Sequence, residues 1–215
     1  MTYLQLVNSV LRRLRESQVD TVAETSYSAL IGDFVNDAKQ LVEDAHSWSA
    51  LRTSIEFDTV AGTSVYALGG SGQDVEVREA MNTSSKGMLR ARNRTYMNRY
   101  YKTGSEASGT PAEFAFNGVD NNGDITVQVY PKPDAIYTLF FDAFVRQSDL
   151  TEDATRLKVP YNPVLQLALG MALRERGETG GQSAVEQFSI ADSTLSDAIA
   201  FDANKYQEDT TYVAV

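Results

Sequence analysis

Few side chains in this sequence could act as acids, bases or nucleophiles. His46 is the single histidine and there is no cysteine, so disulfides, thiolate zinc sites and cysteine nucleophiles are excluded. The G-x-S-x-G pattern that presents a serine nucleophile is absent, and we expect a structural or solvent-facing role for His46. The acidic pairs Asp33 with Asp37 and Glu43 with Asp44 could transfer protons, but on a long helix such pairs more often form a solvated face. We therefore predict no catalytic residues, no bound cofactor and no metal ligands.

Two glycine-containing loops resemble ligand-binding motifs only superficially. The stretch "GGSGQD", which begins at Gly69, lacks the GK[ST] ending of a phosphate-binding loop. The stretch "DNNGD" has some of the oxygen ligands of a calcium loop, but its glycine is misplaced and Pro131 stands where a bidentate glutamate is expected. We predict a flexible loop at the first and a polar hairpin turn at the second.

One segment concentrates side chains that suit binding to a partner. The stretch "LRARNRTYMNRYYK" contains five cations and three tyrosines but no acidic residue, in a chain that is otherwise acidic. This segregation favours contact with an acidic protein face or a phosphate backbone. The alternative is a strand and a short helix whose cations balance acidic neighbours within the subunit. The residues that we predict to contact a partner are Arg90, Arg92, Arg94, Tyr96, Arg99, Tyr100, Tyr101 and Lys102.

Length and charge limit the classes of function. The chain has 215 residues, with 19 Lys and Arg against 29 Asp and Glu, and a net charge of -10. This charge disfavours wrapping of nucleic acid over a broad surface, because such binding depends on neutralised phosphates. No stretch reaches the roughly 20 apolar residues of a membrane span, and no secretory signal is apparent. We expect a soluble protein that is made in a cytoplasm.

Apolar residues recur at helical spacing near both ends of the chain, and at a spacing of two between them. A capping-box pattern at Thr2 opens the first helix. We predict four helices, over residues 3 to 16, from Thr25 or Ser26 to Trp48, from 164 to about 177, and from 183 to 206. The predicted strands are "LRTSIEF", "TSVYAL", "AEFAFNG", "DITVQVY" and "IYTLFFDAFV", of which the third and fourth form a hairpin.

These patterns predict an α+β fold. Each helix has an apolar stripe that needs covering, so we expect a four-helix bundle, with two helices from each end of the chain and a central β-rich insertion. The expected domains are a discontinuous helical bundle at 1–50 and 159–206, a β-rich insertion at 51–158 and an extended carboxy-terminal arm at 207–215.

The order of these parts resembles the head-to-tail adaptor proteins of short-tailed bacteriophages, the group called tail tubular protein A. The resemblance rests on "MTYLQLVNSVLRRLRE" and on "YSALIGDFVNDAKQLVEDAHSWSALR", a long helix that closes on an aromatic residue and leads into strands. The pair "PYNPVLQLALGMALRERG" and "AVEQFSIADSTLSDAIAFDANKY" completes the pattern. The resemblance is in the order of the helices and strands, and it covers most of the chain.

The resemblance implies a structural virion protein that is made in the bacterial host and is not an enzyme. Such adaptors form a ring, typically of twelve subunits, beneath the portal protein; they hold the tail nozzle or tail fibres and line the channel for DNA, which passes without specific binding. The cationic segment would then contact the next subunit or the tail. The resemblance also implies that the carboxy-terminal arm contacts the portal, through Tyr206, Thr211, Tyr212, Val213 and Val215.

Two other functions stay open at this point. One is a cell-wall hydrolase carried in the virion, which would need a converging carboxylate pair that no spacing singles out. The other is a DNA-packaging accessory protein that uses the Arg and Tyr segment, which would bind duplex DNA in a salt-dependent way.

Overall fold

The computed structural model describes residues 1–104, 106–177 and 182–205. Within these residues the chain forms five α-helices, eight β-strands and one 3-10 turn, at Ser49–Leu51. In chain order they are α1 (Tyr3–Arg13), α2 (Ser26–Asp44), β1 (Arg52–Asp58), β2 (Val65–Ala67), β3 (Val75–Asn82), β4 (Gly87–Met88), β5 (Arg90–Ala91), α3 (Arg94–Tyr101), β6 (Glu113–Val119), β7 (Ile125–Tyr130), β8 (Thr138–Val145), α4 (Tyr161–Glu175) and α5 (Gln182–Ala203).

The described residues before Leu51 and after Arg146 form one compact unit, which contains α1, α2, α4 and α5. α4 packs against the other three helices. Gly170 on α4 allows α5 to come close, because a Cβ at that position would lie 2.9 Å from the Phe188 ring. The core of this unit includes the fully buried side chains of Leu6, Val7, Val10, Ile31, Val35, Val42 and Val164.

The first two helices begin as predicted and end early. Thr2 and Thr25 both form capping boxes. α1 is three residues shorter than predicted, and α2 stops before Trp48. The Trp48 indole N–H turns back and donates to the carbonyl of Val42 at 2.6 Å, which satisfies one of the carbonyls left unpaired at the end of α2. The tryptophan therefore closes the helix end from outside the helix.

Residues 51–146 form the second unit, with two four-stranded sheets. Their strand orders are β1-β8-β3-β4 and β2-β7-β6-β5. The predicted hairpin is confirmed, because β6 and β7 pair antiparallel, whereas β5 and β6 run parallel. The two sheets share one core, made of Leu68, Ala80, Leu89, Phe114, Val127, Val129, Leu139 and Phe141.

The "DNNGD" segment is the turn of this hairpin, as predicted. The carboxylate of Asp120 accepts hydrogen bonds from the backbone N–H groups of Asn122 and Asp124 at 2.8 and 2.9 Å. The carboxylate of Asp124 accepts from the N–H groups of Gly70 and Gly72, and these bonds lower its pKa below the usual value. The turn thus holds the "GGSG" loop by its backbone.

The predicted four-helix bundle with a central β-rich insertion is wrong as a description of the fold. The chain is 39% helix and 24% strand, in five helices and two sheets across the described residues. The sheets bury a core of their own, so the middle of the chain does not depend on helical stripes to cover it. Sequence periodicity also missed β3, and α3 was expected only as the short helix in the alternative interpretation of the cationic segment.

Candidate interaction surface

The cationic segment folds as β5 followed directly by α3. Asn93 caps the helix, because its Oδ1 accepts a hydrogen bond from the backbone N–H of Tyr96 at 2.7 Å. α3 contacts β6. Phe114 of β6 belongs to the core, so the next residue, Ala115, points to the opposite face of the sheet. Ala115 is buried nonetheless, as expected if α3 covers that face. Met97 of α3 is fully buried as well. α3 is therefore held firmly on the outside of its sheet.

Arg92 is used inside the subunit. Its Nε and Nη2 donate to Oε1 of Glu113, on β6, at 2.9 and 2.7 Å. Its guanidinium also lies 4.9 Å from the centre of the Tyr96 ring. Arg92 thus balances an acidic neighbour on the same sheet, as in the alternative interpretation, and its contact with a partner stays a prediction.

Two of the three tyrosines of the segment attach α3 to β7, and the third packs against one of them. Tyr100 stacks on Tyr130 with ring centres 4.4 Å apart, and Tyr101 meets the same ring edge-on at 6.0 Å. Tyr96 packs edge-on against Tyr100 at 5.1 Å. The Tyr101 hydroxyl donates to the carbonyl of Val129 at 2.6 Å, and burial raises the pKa of Tyr101 to about 12. These aromatic side chains position the helix.

The other four cations are exposed and unpaired. In the part of the chain that the structure describes, the side chains of Arg90, Arg94, Arg99 and Lys102 form no ion pair. The structure thus divides the predicted surface into an inner set that fixes α3 and an outer set of cations. We call the outer set, Arg90, Arg94, Arg99 and Lys102, the cationic face.

His46 lies in a structural cluster at the end of α5. Ser49 donates to the Asp202 carboxylate through its N–H at 2.8 Å and its hydroxyl at 2.6 Å, and His46 Nε2 lies 3.5 Å from the same carboxylate. A Ser-His-Asp triad needs the histidine between the other two groups, whereas here both approach Asp202. Burial raises the pKa of Asp202, but hydrogen bonds from Ser49 and Lys205 outweigh it and lower the pKa below the usual value.

The acidic pairs of α2 do not share one environment. Asp33 and Asp37 are exposed, as expected for a solvated face. Glu43 is buried, and its carboxylate lies 3.5 Å from the ammonium group of Lys39, which is buried too and donates to the carbonyl of Gln147 at 2.6 Å. The solvated-face prediction is wrong for Glu43, because position 43 lies one turn after Lys39 on the buried side of the helix.

The family model described as SU10 adaptor protein matches residues 1–212 of the chain. The chain belongs to the SU10 adaptor protein family. No curated protein matches the sequence of this adaptor. The family is one of structural bacteriophage adaptors, so the adaptor is a virion protein that assembles with other phage proteins.

The helical unit of the adaptor has an acidic groove of about 700 Å³. Its lining includes Tyr3 and the four acidic residues Asp33, Asp149, Glu152 and Asp153. Burial, and then the charges of three of these acids, raise the pKa of Tyr3. Sequence reasoning missed this groove because the acids on α2 and those before α4 lie more than 100 residues apart in the chain.

Two further findings concern the partner and membrane predictions. The predicted portal-contact residues, Tyr206, Thr211, Tyr212, Val213 and Val215, lie outside the described residues. No helix within the described residues is long and apolar enough to cross a membrane.

Proposed function

We propose that this chain is the head-to-tail adaptor of a short-tailed bacteriophage, of the tail tubular protein A kind. Twelve copies form a ring beneath the portal protein, join the capsid to the tail nozzle or fibres, and line the channel through which DNA leaves. The observation that carries this proposal is the adaptor family match over residues 1–212. The part that matches covers one compact unit completely and all but the last three residues of the other.

The charge of the chain supports the channel role. Each copy carries a net charge of -10, so a ring of copies repels phosphate and lets DNA slide without specific binding. The adaptor is made in the bacterial host and acts as a structural part of the virion neck, without an enzymatic role of its own.

Two surfaces of the chain would make the protein contacts. The cationic face contacts the next subunit or the tail. The carboxy-terminal arm at 207–215 contacts the portal, together with Tyr206, through apolar side chains that include Tyr212, Val213 and Val215.

The test is the mass of the purified chain, alone and with the portal ring of the same phage, by light scattering. We expect a subunit that joins the portal as a ring-sized complex. Deletion of residues 209–215 should weaken attachment to the portal, while the far-UV circular dichroism of the subunit stays unchanged. A matched variant with Tyr212 and Val213 both changed to Ser separates the apolar contacts from the length of the arm.

A full-length chain that ignores the portal would contradict this function. Two further assays would then decide between the alternatives. Turnover of cell-wall polymer that is lost on changing one Glu or Asp would show a hydrolase. Strong, salt-dependent binding of duplex DNA by the isolated subunit would show a DNA-packaging role.

A further inference from the structure

We propose that the cationic face of one copy binds the acidic groove of the next copy, so the partner of each surface is a second copy of this chain. This inference rests on the proposed ring function and names the surfaces that close the ring. It assigns Arg90, Arg94, Arg99 and Lys102 to one side of the contact, and Asp33 and Glu152 to the other.

The unpaired charges on both surfaces are the first support. The cationic face forms no ion pair among the described residues, although the chain has ten more acidic than basic side chains. On the groove, Asp33 and Glu152 are exposed and likewise form no ion pair within the described part of the chain. Asp149 and Asp153, by contrast, are engaged by Lys39 and by the N–H of Val22. Each surface thus keeps exposed charges that are not paired within the described part of the subunit and can pair with opposite charges on a second molecule.

The rigidity of the cationic face is the second support. α3 is fixed by its tyrosines, by the buried Met97 and by the pairing of Arg92 with Glu113. Arg94 and Arg99 therefore extend from a fixed helix, and little backbone freedom is lost when they bind. Guanidinium groups match carboxylates with two parallel hydrogen bonds, which suits a groove whose wall carries carboxylates.

The shape of the two surfaces decides the kind of partner. The groove is concave, and the described residues contain no group of three acids or histidines that converges as a metal site. A contact between two identical cationic faces would bring like charges together, which is unfavourable. A contact between two different surfaces of the same chain is heterologous, and heterologous contacts generate rings or filaments. A second copy therefore satisfies both surfaces at once.

Charge reversal tests the pairing. Arg94→Glu with Arg99→Glu should weaken ring formation on the portal about tenfold or more, since four like charges would face each other. Asp33→Lys with Glu152→Lys should have a similar effect. All four changes in one chain should restore the ring, because each reversed helix then meets a reversed groove. The matched control, Arg15→Glu with Lys86→Glu, changes two exposed cations elsewhere and should leave the ring unchanged.

Disulfide trapping keeps the inference testable if a reversed variant fails to fold. The chain has no cysteine, so single cysteines can be placed freely. Arg99→Cys protein mixed with Glu152→Cys protein should form a mixed disulfide dimer under mild oxidation, several-fold more than Lys86→Cys mixed with Glu152→Cys. Equal trapping of the two mixtures would overturn the pairing.

The failure of this inference is distinct from failure of the proposed function. A wild-type chain that forms no ring on the portal would refute the function. If the wild-type chain forms the ring and both charge-reversed double variants form it equally well, the adaptor role stays intact and the pairing of these two surfaces is overturned.

Discussion

Replacement of Trp48 with Ala is the sharpest test of how the helical unit is held together. The side chain is 1% exposed, its indole N–H donates to the Val42 carbonyl at 2.6 Å, and His46 packs edge-on against it at 5.1 Å. Truncation of a buried Trp to Ala costs roughly 3–5 kcal/mol in other cores. Loss of the hydrogen bond leaves the carbonyl of Val42 without that donor, which adds roughly 1 kcal/mol. We therefore expect a loss of about 5 kcal/mol in the free energy of unfolding.

The assay is urea unfolding followed by circular dichroism at 222 nm, which reports on the helices. With a slope of roughly 2–3 kcal/mol per molar urea, the midpoint should fall by about 2 M. Trp48→Phe is the matched control, because it keeps most of the ring but removes the N–H, and it should cost only about 1–2 kcal/mol. A loss below about 1 kcal/mol for the Ala variant would refute the reasoning, since it would show that this site contributes no packing to the subunit.

Three further predictions follow from single contacts. Gly170→Ala should destabilise the subunit by about 1–3 kcal/mol in urea unfolding, because the new Cβ would lie 2.9 Å from the Phe188 ring. Asp202 has a folded-state pKa below its usual value, so its carboxylate contributes to the free energy of unfolding above about pH 4, and this contribution is lost as the pH falls through the folded pKa. Asp202→Asn should therefore make stability fall less steeply between about pH 5 and 2 in urea unfolding at each pH. Arg92→Gln should lower the thermal midpoint by a few degrees, whereas Arg94→Gln should not, because only Arg92 is paired within the subunit.

Local signals in the sequence were enough to predict where α1 and α2 begin and that β6 and β7 form a hairpin. The capping box at Thr2 and the alternation of apolar and polar residues around the Asn122-Gly123 turn depend on contacts within a few residues, so they do not depend on how the rest of the chain packs. β3 was missed although "VEVRE" alternates, because the pattern is short and its partner β8 lies more than 50 residues away. α3 was expected only in the alternative interpretation of the cationic segment, because its eight residues are mostly polar and its burial depends on a sheet built from distant strands.

The interaction surface was only partly predictable for the same reason. The sequence shows that cations cluster between residues 90 and 102, but it does not show that Arg92 meets Glu113. That contact exists because β5 pairs in parallel with β6, which places Arg92 beside a glutamate 21 residues further along the chain. Arg94, two residues later, begins a helix and faces no described carboxylate. Chain neighbours with the same chemistry thus receive opposite roles from the topology.

The charge of the chain sets a constraint on how copies of it can assemble. Copies that each carry -10 repel one another over tens of ångströms, so a contact between them must recover this cost locally. Salt near 0.1 M screens charges beyond about 10 Å, while ion pairs in close contact inside a groove are screened much less. Moderate salt should therefore favour assembly through the cationic face and the acidic groove, whereas salt near 1 M, where screening reaches about 3 Å, should weaken it. Assembly that instead declines steadily from the lowest salt would show that attraction, and not long-range repulsion, governs how copies approach.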